Sequence, residues 1–130
     1  MILFDTDTCI EILRGNKKVI KKRSEYPGEI ALSFMSIGEL FYGAEISAYP
    51  VENRLLVEKF LLTVAIIQTD IPILKRFGEI KGDLKKGSRL VPDADILIAA
   101  TALEKAEALI TGNASRFVRI AGLKIDNWIR

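Results

Sequence analysis

The chain has 130 residues, 49% of them hydrophobic and 28% charged, with a net charge of +2; this is globular composition, sufficient for one domain that buries roughly two-thirds of its unfolded surface, and it excludes a long disordered tail. Histidine is absent and cysteine occurs once, as Cys9, which excludes histidine-based acid–base catalysis, zinc sites built on His and Cys, and an internal disulfide. Hydrolytic chemistry has to run on carboxylates, lysines or a hard, oxygen-liking cation.

The longest apolar stretches, Phe60 to Ile67 and Ile96 to Leu103, are eight residues each, far short of the roughly 20 that a membrane span needs. The apolar start is too short for a signal peptide and lacks a basic leader. A lone cysteine fits a reducing cytoplasm, so a cytoplasmic, membrane-free protein is expected.

Taken in order, Met1 to Phe4 is an apolar run that ends in Asp5-Thr6-Asp7-Thr8 and passes into Cys9-Ile10-Glu11-Ile12-Leu13. A buried strand turning directly into a helix has that pattern, and it places Asp5 at a strand's carboxyl end. Gly15-Asn16 breaks the helix, and a second one carries Lys17 to Arg23. Pro27-Gly28 is a turn, Ile30 to Phe34 a second strand, and Ser36-Ile37-Gly38-Glu39 opens a helix that Tyr49-Pro50 ends. A helix over about Val51 to Leu62 precedes Thr63 to Ile67, whose β-branched residues suit a buried parallel strand. Ile71, Leu74, Phe77, Ile80 and Leu84 then mark one helix face. Pro92-Asp93-Ala94-Asp95 starts a nearly all-apolar helix reaching about Ala106, Ala108 to Thr111 is a fourth strand, and Leu123 to Ile125 a fifth. Strands alternating with helices imply α/β architecture with a parallel sheet covered on both faces, and residues 1–130 read as a single domain.

Three acids stand where separate segments become helices: Asp5, Glu39 and Asp95, with Asp7 and Asp93 beside them. Ligands bind at the carboxyl ends of parallel strands, so these acids converge if their junctions share one end of the sheet. Two carboxylates about 4 Å apart repel by roughly 1–4 kcal/mol, and such a cluster takes up a cation or a proton. Magnesium or manganese suits carboxylate and water oxygens. Each acid also has a purely structural role open to it. Ser36-x-x-Glu39 and Thr8-x-x-Glu11 both match capping boxes, and Asp93 and Asp95 in a first turn complement a helix dipole.

The chain resembles PIN-domain ribonucleases, in particular the VapC-type toxins of prokaryotic toxin–antitoxin pairs, from Met1 to Arg130. Four segments carry the likeness: Leu3-Phe4-Asp5-Thr6-Asp7-Thr8-Cys9-Ile10, Ser36-Ile37-Gly38-Glu39-Leu40-Phe41-Tyr42-Gly43-Ala44, the run Pro92-Asp93-Ala94-Asp95-Ile96 to Leu103, and the tail Ile110-Thr111-Gly112-Asn113-x-x-Arg116-Phe117 with Asp126-Asn127-Trp128. The resemblance implies a three-layer α/β/α sandwich around about five parallel strands. It further implies that Asp5, Glu39 and Asp95 are catalytic, metal-binding acids, with Asp7, Thr111 and Asn113 supporting them. The family's fourth acid falls at Asn113 or Arg116 here, and neither is acidic; Asp93 is then a candidate for the missing charge. The implied reaction is endonucleolytic RNA cleavage, with Mg2+ or Mn2+ activating a water for in-line attack. A homodimer and a cognate antitoxin protein are the implied partners. Arg14, Lys17, Lys18 and Lys21 have the spacing of one helical stripe and, with Arg116, are candidates to contact RNA phosphates. A solvated face is the alternative for that stripe.

Two other readings stand beside this one. A PIN-like fold without its fourth acid also fits a catalytically weak, partner-binding protein. Phe4-Asp5-Thr6-Asp7-Thr8 satisfies the Asp-x-Asp-x-Thr start of haloacid-dehalogenase-like phosphatases too, although that reading leaves Glu39 unexplained.

Overall fold

A computed structural model describes residues 1–130. The order of elements is β1 (Ile2–Phe4), α1 (Thr6–Leu13), α2 (Lys17–Glu25), β2 (Ile30–Ser33), α3 (Phe34–Glu45), α4 (Pro50–Leu61), β3 (Ala65–Ile67), α5 (Ile71–Lys86), α6 (Asp93–Lys105), β4 (Leu109–Ile110) and β5 (Ile125–Asp126), with a 3-10 turn at Ala114–Arg116. All five strands are parallel, in the order β3-β2-β1-β4-β5. The period-2 alternation of strand side chains sorts the core into two halves. Ile2, Phe4, Ile30, Leu32 and Ile110 face a cluster built with Cys9, Val19, Leu40, Val57 and Phe60 from α1 to α4. Leu3, Ala31 and Leu109 face a second cluster with Ile73, Ile80 and Leu84 of α5 and Ile96, Ile98 and Ala99 of α6. The result is the expected three-layer sandwich.

Topology places the site. The chain steps from β1 outward to β2 and β3, then returns to β4 on the other side of β1. Right-handed crossovers therefore lay α1–α4 on one face and α5–α6 on the other, leaving a crevice at the carboxyl ends where the direction reverses.

Several local expectations are corrected. The helix expected to open at Ser36 begins at Phe34, because Ser33 is the N-cap and its hydroxyl accepts the Ser36 N–H. Neither capping box forms: Asp5 caps α1 through the Thr6 N–H, and the Thr8 hydroxyl goes to the Ile110 carbonyl instead. The strand around residues 63–67 is an edge strand rather than a buried one, with Ile66 45% exposed. On α5, Ile71 and Leu74 point outward, while Ile73, Ile80 and Leu84 are buried. The last strand, expected over Leu123 to Ile125, starts two residues later and ends one later, at Ile125–Asp126. No helix is long and apolar enough to cross a membrane.

Candidate active site

Asp5 follows β1 and Glu39 lies in the second turn of α3, after β2; Asp95 is in the first turn of α6, and Thr111 follows β4. These are the carboxyl ends of the three central strands and the adjoining start of α6. Asp5 is buried, with Oδ1 accepting the Thr6 N–H at 2.7 Å and Oδ2 accepting the Thr111 hydroxyl at 2.7 Å. Burial pushes its carboxyl up to about 6; Asp7 and Asp95 add to the rise, and the Thr111 and Thr6 hydrogen bonds oppose it. Glu39 Oε1 accepts the Thr6 hydroxyl at 2.6 Å. That hydroxyl also lies 3.1 Å from the Ser36 hydroxyl, and since its single proton goes to Glu39, Ser36 is the donor there.

Asp95 is also buried, and burial raises its carboxyl above the ordinary range, with Glu39 and Asp7 adding to the rise and Arg116 opposing it. Arg116 Nη1 stands 3.5 Å from Asp95 Oδ2, yet Oδ2 makes no hydrogen bond. Asp7 Oδ2 accepts both the Gly112 N–H at 2.8 Å and the Asn113 side-chain amide at 3.0 Å. Asn113 in turn donates its backbone N–H to the Thr111 hydroxyl at 3.0 Å. Asp7, Thr111 and Asn113 thus form one hydrogen-bonded network around Asp5. Arg130 closes it from outside, donating to the Gly112 carbonyl at 3.0 Å.

Not every candidate joins this group. Asp93 is 63% exposed and pairs with Lys81 of α5 at 2.9 Å. Its neighbour Asp95, two residues on, takes the inward position. The basic stripe does not lie on one helix. Arg14 caps the end of α1, Gly15 adopts φ +82°, and Lys17 and Lys18 start α2 after the turn. Arg14 and Lys21 pair with Glu11 and Glu25 at 3.9 and 3.8 Å. Thr6 and Arg130 carry no site role in the sequence reading, and Ser36 enters it only as a capping-box residue; for Thr6 the signal is its position directly after Asp5 at the strand–helix junction.

The larger cavity, about 360 Å3, lies along α5 between Arg76, Leu84 and Ile120 and contains none of these acids. A second, of about 290 Å3, is lined by Glu39 and Arg14 together with Ile10, Leu40 and Val57.

A profile of the PIN domain matches residues 2–123. The chain belongs to the PIN-domain family. Within that family it is 30% identical over 128 residues to Ribonuclease VapC2 of Haemophilus influenzae, covering 98% of this chain and 97% of that one. The tRNA(fMet)-specific endonuclease VapC of Shigella flexneri is 28% identical, covering 97% of this chain and 96% of its own. Among solved structures, DNA-bound VapBC from Salmonella typhimurium superposes with a TM-score of 0.92 at 27% identity, covering 98% and 97% of the two chains. VapBC2 from Rickettsia felis, bound to a promoter DNA fragment, gives 0.91 at 27% identity, covering 98% and 99%.

The donors of this PIN domain fit a hard divalent cation. The groups brought together are carboxylates, hydroxyls and one amide, and two features suit a positive charge: the unbonded, buried Oδ2 of Asp95, and Asp5, lifted first by burial and then by the neighbouring charges of Asp7 and Asp95. No three acids close on a common point as they stand. Their oxygens are turned instead to Thr6, Thr111, Gly112 and Arg116.

Proposed function

We propose that this chain is the metal-dependent endoribonuclease of a VapBC-type toxin–antitoxin pair, using Asp5, Glu39 and Asp95 as its metal-binding and catalytic acids. The observation that carries this reading is Asp95: a carboxylate oxygen buried and unbonded at the switch point of the sheet, beside Asp5 and Glu39, in a chain whose full-length relatives are named ribonucleases. Bound there, Mg2+ or Mn2+ would supply Lewis-acid activation of water and charge neutralisation at the phosphodiester. The residues of the chain do the rest. Asp7 and Asn113 hold the Gly112 turn against Asp5, and the Thr111 hydroxyl keeps Asp5 oriented and closer to its ionised form. Arg116, Arg14, Lys17, Lys18 and Lys21 are the proposed phosphate contacts; all five are exposed, and Arg14, Lys21 and Arg116 each stand beside a carboxylate while Lys17 and Lys18 do not. Asp93 has its charge committed to Lys81 and is left out of the ligand set.

The proposed partners are RNA, an antitoxin protein and a second copy of the chain in a homodimer, all in the cytoplasm. Tyr42, Ile46, Tyr49 and Leu55 are exposed where α3 gives way to α4, an amount of apolar surface that suits a protein partner.

The test is RNA cleavage by the purified chain with Mg2+ or Mn2+. EDTA is expected to stop it, and Asp5→Asn, Glu39→Gln and Asp95→Asn are each expected to abolish it while the fold survives. With no histidine to deprotonate a ribose 2′-hydroxyl, the products should carry 5′-phosphate and 3′-hydroxyl ends. Undiminished cleavage in EDTA or by Asp5→Asn, or a 2′,3′-cyclic phosphate product, would overturn the reading.

A further inference from the structure

Among the acids of the site, Asp95 has an arginine of the chain itself for company. Arg116 Nη1 is 3.5 Å from Asp95 Oδ2, whereas a charge-assisted hydrogen bond closes to roughly 2.7–2.9 Å. The oxygen is therefore neutralised without being satisfied, which is why it stands as a buried side-chain atom lacking a hydrogen bond. The two partners differ in how firmly they are held. Asp95 is fixed in the first turn of α6 with its side chain 7% exposed, while Arg116 extends from a 3-10 turn with its side chain 55% exposed. Its guanidinium can leave into water at small cost, because a pair with one solvated partner is weak. Asp95 cannot follow.

We propose that Arg116 is a resident counter-cation that a divalent ion must displace from Asp95, so that cation loading and the Arg116–Asp95 pair exclude one another. This rests on the cation site proposed above and adds a control on its loading. In the metal-free chain the guanidinium offsets part of the repulsion that Glu39 and Asp7 exert on Asp95. Once displaced, it stays tethered at the crevice mouth as a free planar donor for an anionic ligand. By linkage, whatever holds Arg116 off Asp95 tightens cation binding by the same factor that the cation tightens its own.

Calorimetric titration of the full chain with Mn2+ tests this. Arg116→Gln removes the competitor and is expected to bind roughly 1.5- to fivefold more tightly than the parent, the range that a weak ion pair of this kind allows. Arg116→Lys keeps a competing charge and should stay close to the parent. Arg119→Gln removes an equal charge from an exposed position three residues on, and should leave the affinity unchanged. In parallel, the Arg116 side-chain Nε–H resonance of the parent should move during a Mg2+ titration along the same curve as binding. Equal affinities for parent and Arg116→Gln, equal tightening in Arg119→Gln, or a static Arg116 resonance would each overturn the proposal. The underlying site is checked separately by Asp95→Asn: if it binds Mn2+ as well as the parent, the acids themselves have been misassigned and the proposal falls with them.

Discussion

Thr111 donates its hydroxyl to Asp5 Oδ2 at 2.7 Å across a separation of 106 residues. The register of β1 beside β4, which pairs Phe4 with Ile110, is what brings the two together. This one hydrogen bond opposes the burial that lifts Asp5. Thr111→Val keeps the shape and removes the bond, so Asp5 should titrate higher and hold a cation less well. The expected loss is roughly 1–2 kcal/mol, about five- to thirtyfold in Mn2+ affinity, read by calorimetry near neutral pH. Unchanged affinity would show that Asp5 does not need this donor.

The pH dependence of stability follows from the sign of the Asp5 shift. Its carboxyl titrates at about 6 in the folded chain against an ordinary 3.8, so between those values the folded chain binds more protons than the unfolded. The Asp5 contribution is therefore fully present below about pH 4 and is lost as pH rises through about 6. At pH 7 an ionised Asp5 costs the metal-free fold roughly 2–3 kcal/mol. Asp5→Asn should melt progressively higher than the parent as pH rises from 4 to 7. The gap between variant and parent isolates the group, because Asp70, held low by its hydrogen bond to Lys105, slopes the other way. A gap that is flat across this range would contradict the shift.

Much of this was legible in the sequence because it depended on patterns one element long. The run into Asp5 and the apolar helix after Asp95 each carried their own boundary, and the sheet followed from alternation. What was not legible depended on which polar group wins a contact across the fold. Ser36-x-x-Glu39 has a capping spacing, but Ser33 takes the cap and frees Glu39 for Thr6. A stripe from Arg14 to Lys21 has helical spacing, but the positive φ of Gly15 splits it between two helices. Nothing local says that the strand around Ile66 lies at the sheet's edge, since strand order is set by how the crossovers run.

The same limit governs the pair Asp93 and Asp95, which spacing alone cannot rank. The structure turns Asp93 to Lys81 at 2.9 Å and buries Asp95. Asp93→Asn should therefore leave Mn2+ affinity within about twofold of the parent and cost at most about 1 kcal/mol of stability, the range of a surface pair. Asp95→Asn should abolish tight binding. Chemical denaturation and calorimetry on both variants check the assignment, and equal losses of affinity would place Asp93 at the cation after all.

Gly112 tests whether the turn supporting Asp5 is as crowded as it looks. A Cβ built there would lie 2.7 Å from Ile129 Cδ1 and 2.9 Å from Asp7 Oδ2, whereas one on Gly78 of α5 meets nothing within 4 Å. The Ile129 contact can yield, since it is the far end of a flexible side chain. The Asp7 contact cannot yield freely, because that oxygen is held by the Gly112 N–H and the Asn113 amide. Gly112→Ala should therefore cost roughly 1–3 kcal/mol and weaken Mn2+ binding by displacing Asp7 from the network around Asp5. Gly78→Ala should instead stabilise the chain by about 0.4–1 kcal/mol, through helix propensity and a less free unfolded state. Denaturation midpoints separate the two, and a Gly112→Ala chain as stable as the parent, binding Mn2+ equally well, would mean that the turn gives way without disturbing the acids.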